Sequence, residues 1–383
     1  MLNFVSKTLP HLRPSARSSL TGIKLYVTKA RGKSANAAKK ESFVVSYLID
    51  KCGFAPEKAF SASKRITFKT PDNPDSVLSF LKTHGFSETQ ISKLIQRCPS
   101  ILSCHPQNTL LPKIEFLKSV GFTVEEYTAM LCGGPSILQR SLGNQLLPTI
   151  EFLKQFFSSP EQIKVPLKRS PWIFSTSCQA LMEDNIELLR RLQVPELSIV
   201  HYVQNQPRLF TKEKEEFKRI LEDIKGMGFD PSKKLFMVAV HVASSMTRLT
   251  WEKKMRAYKK WGLSADQILE TFVRNPWIMA CSEEKILRGM DFFVNKLGLE
   301  SSDVFRKPVL IMLSLEKRII PRCLVYQALA AEGLLKDIKL FIGMFVLSEA
   351  KFVKKFVKCY ENRIPDLPKL YHSSRGDAKV HLS

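Results

Sequence analysis

Residues able to do covalent or metal chemistry are scattered through this sequence rather than assembled. There is no GxxxxGK[ST] phosphate loop, no HExxH pair and no GxSxG elbow, and Gly226-Met-Gly228 lacks the third glycine of a dinucleotide turn. The acidic neighbours Glu125-Glu126, Glu183-Asp184 and Glu283-Glu284 are adjacent, and adjacent residues on a helix do not share a face. They read as solvated faces or as partners of a helix N-terminal dipole. The eight cysteines form no CxxC pair, so reduced, mostly buried thiols are expected rather than a zinc site or a disulfide framework. Cys98, Cys104 and His105 lie close together, but no second ligand pair follows at finger spacing. The seven histidines have no recurring partner. No enzymatic activity, metal or cofactor is expected.

What does recur is positive charge. The chain of 383 residues carries 59 Lys and Arg against 36 Asp and Glu, a net +23, which is an argument about partners: a polyanion is the natural one. Arg97, Arg169, Arg274 and Arg306 each stand two residues before a proline, and Arg140, Lys212 and Arg248 stand five residues after Pro135, Pro207 and Ala243. In register, such cations make a ladder able to follow a phosphate backbone. The competing reading is helix capping, because a cation at a helix C-terminus is favoured by the dipole. The segment 248–260 concentrates Arg248, Lys253, Lys254, Arg256, Lys259 and Lys260 around Trp251, Tyr258 and Trp261. Cations with aromatics suit stacking on unpaired or flipped bases; the alternative is core aromatics beside a solvated lysine face.

The elements that must position these cations follow from an internal repeat. PSILSCHPQNTLLPKIEFLK at 99–118 returns as PSILQRSLGNQLLPTIEFLK at 135–154, an ungapped offset of 36. The anchors continue at Pro171 and Pro207, then a degenerate Ala243, Pro276 and Pro308; backwards, the step reaches Ser63. About eight units result. Ile91, Tyr127, Ile163, Ile199, Leu235 and Ile268 stand eight before the anchors, and Ile95, Leu131, Leu167, Val203, Ala239 and Phe272 four before. Apolar residues at i and i+4 share a helix face, so each unit opens with a short amphipathic helix that the anchor proline ends. The pairs Ile101/Leu102, Ile137/Leu138, Ile173/Phe174, Leu209/Phe210, Ile278/Met279 and Leu310/Ile311 then predict a short turn plugging the core. A longer helix follows, with Pro112 or Pro148 in its first turn and a glycine (Gly121, Gly228, Gly262, Gly298) as its stop. The expected fold is an all-α solenoid, in which units too small to bury a face alone stack on their neighbours.

These repeats, together with Val45-Ser-Tyr-Leu, Trp251-Glu-Lys-Lys-Met, Met290-Asp-Phe-Phe-Val and Ser314-Leu-Glu-Lys-Arg-Ile-Ile-Pro, resemble the mitochondrial transcription termination factor (mTERF) family, particularly its large plant branch. The resemblance covers residues 43–370. It implies a left-handed half-ring superhelix of three-helix repeats, import into mitochondria or plastids, and binding of organellar DNA or RNA. Its members act in transcription termination or initiation, intron splicing and ribosome biogenesis, and are not enzymes. The protein expected is a monomer that regulates organellar gene expression by occupying a site on double-stranded DNA or on RNA. The rival is a protein–protein scaffold in organellar ribosome or RNA-processing complexes.

Residues 1–40 contain nine basic residues, five serines and no acid, the composition of an organellar transit peptide. A disordered basic arm that binds nucleic acid is the alternative. Leu, Phe and Arg beside the serines favour the mitochondrion over the chloroplast. Removing the segment leaves an excess of 14 positive charges, so the remainder stays basic. The array is expected over 41–370 and a disordered tail over 371–383, with 351–358 reading as an amphipathic terminal cap. No run approaches the ~18 apolar residues of a membrane span.

Overall fold

Proline decides where each short helix stops. In the computed structural model, which describes residues 35–335 and 342–375, the helices Glu88–Arg97, Val124–Gly133, Pro160–Arg169, Glu196–Asn205 and Ala265–Arg274 each end two residues before an anchor proline. The residue between takes φ from −149° to −135° and positive ψ, out of the α region as a following proline requires. Each anchor then opens a tight 3-10 turn: Pro99–Ser103, Pro135–Gln139, Pro171–Phe174, Pro207–Thr211 and Pro276–Ala280. Where the anchor is not proline, the helix continues. Lys234–Ser244 runs through Ala243, Pro56–Ser63 runs onto Ser63, and neither is followed by a 3-10 turn. At the other end of the short helices, Ser87, Thr123 and Ser264 form capping boxes with Gln90, Glu126 and Gln267.

The second helix of a unit starts differently from the expectation. Ahead of Leu111–Ser119, Leu147–Lys154 and Ile320–Ala331 the chain makes a wide π turn (Pro106–Leu110, Leu142–Leu146, Leu315–Ile319), and Pro112, Pro148 and Pro321 follow in the first α turn. A proline ring crowds the carbonyl four residues back and lacks the N–H to bond it, and the wider turn accommodates both. Asp184 occupies the equivalent position one repeat on, and there Thr176–Arg191 is α-helical from its start.

The apolar columns are the core. All six residues four before the anchors and all six pairs after them are buried. In the column eight before, Leu235 departs from the expectation: it is exposed, and Phe236 and Val240 take the buried face. Gly85, with φ +87°, closes the Asp72–Thr83 helix, and a Cβ there would sit 2.3 Å from Val124 Cγ1 of the next repeat. Both the backbone sign and the close approach demand glycine.

By their contacts the residues fall into two compact units: residues up to 186 with 199–212, and 187–198 with 213 onward. The second unit carries a further plug, Ile342–Val346, which the proline count missed because Ile342 holds the anchor position. Phe352, Phe356 and Val357 are buried, as a terminal cap requires. The expected tail starts too early: Leu367–Ser374 is helical and Tyr371 is buried, while 376–383 lie outside the described residues, as do 1–34. Among the described residues there is no strand, and no helix is long and apolar enough to cross a membrane.

Candidate nucleic-acid interface

The two arginines of the first unit that stand two before an anchor proline reach across a whole repeat. Arg97 Nη1 donates to the carbonyls of Cys132 (2.7 Å) and Gly133 (3.1 Å), and Arg169 Nη1 donates to that of Asn205 (3.3 Å). Those carbonyls end the Val124–Gly133 and Glu196–Asn205 helices, the negative pole of the dipole. Capping is therefore the better account of both, although the helix capped is the next one rather than their own. Arg306 pairs with Asp303 at 3.3 Å, one turn back. Arg274 makes one weak bond, Nη2 to Thr271 Oγ1 at 3.2 Å, and meets no carboxylate among the described residues.

The second column divides in the same way. Arg140 is half-buried with its Nε sealed from solvent, Lys212 is half-buried, and Arg248 pairs with Glu252 at 3.1 Å. Lys253 is exposed and meets no carboxylate among the described residues. Lys254 has to be withdrawn as a phosphate contact. It is 7% exposed, and its Nζ donates to the Met279 carbonyl at 2.6 Å. The Arg248–Lys259 helix thus keeps Lys253, Arg256 and Lys259 in solvent, with Lys260 just beyond its end. Lys253, Arg256 and Lys260, at i, i+3 and i+7, form one stripe. Its aromatics serve the core instead of a ligand. Trp251 meets Phe272 edge-on at 5.1 Å, and Tyr258 is buried with its hydroxyl donating to the Ile278 carbonyl at 2.9 Å. Trp261 is half-buried, its Nε1 enclosed and unbonded.

A second register emerges that the sequence reading missed. In several units a polar side chain of the long helix donates to carbonyls at the end of the next plug. Asn73 donates to Leu102 (2.8 Å) and Cys104 (3.2 Å), Lys113 to Leu138 (2.5 Å), and Asn185 to Phe210 (2.9 Å) and Lys212 (2.8 Å). In the second unit Lys254 donates to Met279, Lys285 to Met312 (2.6 Å), and Arg322 to Met344, Phe345 and Leu347. Burial pushes the Lys113 and Lys254 amines below the ordinary lysine range. The available signal was a polar residue at core spacing: Lys113 precedes the buried Phe116 and Leu117 by three and four, as Lys254 precedes Ala257 and Tyr258.

An open cavity of about 580 Å³ adjoins Arg169, lined by Glu125, Glu126, Gly133 and Lys168 among others. Its charges are mixed. Glu126 is held down to about 2 by hydrogen bonds from Lys168 and the Thr123 backbone, so this cavity does not select an anion. No group of three or more His, Cys, Asp or Glu side chains among the described residues could hold a metal. Of the cations singled out from the sequence, those left exposed and without a carboxylate among the described residues are Arg274 and the Lys253–Arg256–Lys260 stripe, all in the second unit.

The mTERF family model matches this chain over residues 78–304 and 241–353, more than two thirds of its length together. A search of curated proteins finds no match.

Proposed function

Because the chain belongs to the mTERF family, whose proteins are in general organellar, non-catalytic regulators that bind nucleic acid, we propose that it holds a site on organellar DNA or RNA through phosphate contacts. It acts by occupancy, as a roadblock to a polymerase or by fixing an RNA structure, without turnover. The regulated step is transcription termination or intron splicing, and the compartment is the mitochondrion. The observation that carries the reading is a group of neighbouring exposed cations without carboxylate partners among the described residues, Arg274 and Lys253–Arg256–Lys260, on a chain that stays strongly basic without its first forty residues. A protein–protein scaffold needs no such excess. Arg97 and Arg169, which cap helices, are supports in this reading.

The test is salt dependence. Each phosphate neutralised contributes a log–log slope of roughly −0.9 on duplex or −0.7 on single strands. Replacing Lys253, Arg256 and Arg274 by Gln is expected to reduce the slope by about two to three units. Neutralising Lys351, Lys354 and Lys355, on the terminal cap, is the matched control and is expected to change little. Equal losses in the two variants, or binding indifferent to salt, would overturn the assignment.

A further inference from the structure

Trp277 is 38% exposed, at the start of the Pro276–Ala280 turn. Trp251 and Trp261 of the same unit are, by contrast, both turned into protein. Three residues earlier stands Arg274, exposed at its helix end with Nε and Nη1 unbonded among the described residues. His241, on the Lys234–Ser244 helix, meets the indole edge-on at 5.9 Å between ring centroids and walls one side. Burial lowers the His241 pKa, which favours the neutral form of this wall. Behind the turn, Lys254 and Tyr258 bond the carbonyls of Met279 and Ile278, which fixes the platform that carries the ring.

We propose that Trp277 and Arg274 form a subsite for one unpaired base of a single-stranded nucleic acid, the base stacked on the indole and its neighbouring phosphate held by the guanidinium. The inference rests on the nucleic-acid reading above and adds to it the state of the strand. A base in a duplex has both faces covered, whereas any unpaired base offers a π face to an aromatic ring. Arg274 repels a cationic group from the same ring, which favours a planar ligand that carries negative charge. In the first unit, Arg169 and Trp172 repeat the spacing but not the site. Arg169 is committed to the Asn205 carbonyl, Trp172 is half-buried, and Gly133 stands where His241 would be.

The experiment titrates the full chain with an unstructured strand of about twelve nucleotides, as RNA and as DNA, and with the same sequence as duplex, following tryptophan fluorescence. Single strands are expected to quench the wild type. Trp277→Ala is expected to lose most of that quenching and bind single strands roughly tenfold more weakly, with duplex affinity unchanged. Trp277→Phe is expected to restore most of the affinity, and Trp172→Ala to behave as wild type. Arg274→Gln leaves the turn intact and is expected to weaken single strands several-fold, which keeps the test standing should Trp277→Ala melt early. Equal losses on RNA and DNA assign recognition to the base face; a loss confined to RNA assigns it to the ribose strand. If Trp277→Ala binds single strands as tightly as wild type, or loses duplex equally, the subsite is wrong while salt-dependent binding stands. If the wild type binds no strand, the subsite and the functional reading fall together.

Discussion

Lys253 and Lys254 are adjacent in the chain and opposite in what they do, so a pair of substitutions can separate support from recognition. Lys254 has no carboxylate in the arrangement described; its ammonium ends on the Met279 carbonyl, which closes the plug beneath Trp277. Lys254→Met keeps the aliphatic bulk, removes the donor and leaves that carbonyl buried without its bond. An unsatisfied buried acceptor costs about 1–3 kcal/mol. At about 2 kcal/mol, a body of this size is expected to melt about 4–8 °C lower. Lys253→Met, in solvent, is expected to stay within about 0.5 kcal/mol of wild type, while lowering the salt slope of binding by nearly one unit. Calorimetry and salt-dependent titration of both variants give the comparison. The pH dependence adds a second readout. Because the folded amine titrates below its ordinary 10.5, the unfolded chain binds more protons across the window between the depressed value and 10.5. Stability from this residue therefore rises with pH through that window. The difference between wild type and Lys254→Met should widen in favour of wild type as pH climbs toward 10.5. A Lys254→Met protein that melts at or above wild type, or a difference that narrows with pH, would refute the argument that the plug depends on this donor.

A Cβ on Gly134 would lie 2.6 Å from Pro171 Cβ, the next anchor, so Gly134→Ala is expected to cost about 1–3 kcal/mol by overpacking, read from chemical denaturation; an unchanged midpoint would mean that the repeats slide freely at that contact. Glu126 is held at about 2 by Lys168 and the Thr123 backbone, so its stabilisation is present above the unfolded carboxylate value and fades as pH falls toward 2. Glu126→Gln should flatten the acid limb of the melting profile between about pH 4.5 and 2, and an unaltered limb would show the pairs to be idle. Residues 1–40 fused to a fluorescent protein are expected to direct it to mitochondria; a cytosolic reporter would revive the basic-arm reading of that segment.

The sequence by itself determined the array. Proline bars the α conformation of the residue before it, so helix ends were legible at Pro99, Pro135, Pro171, Pro207 and Pro276, and the i, i+4 columns named the buried faces. These are local effects, acting within one turn of the residue that causes them. The limits of that reading were local too: Leu235 was misplaced where Ala243 replaced the anchor proline, and the plug at Ile342–Val346 went uncounted because it has none. Only the tertiary structure decided which cations are free. Arg97 finds its partner 36 residues away, at Gly133, and Lys254 finds Met279 after 25, so no short window contains the carbonyl that claims either charge. A long basic side chain serves a buried carbonyl or a solvent-borne phosphate equally well. The stacking of one repeat on the next supplies the carbonyls and leaves Lys253, Arg256 and Arg274 without one.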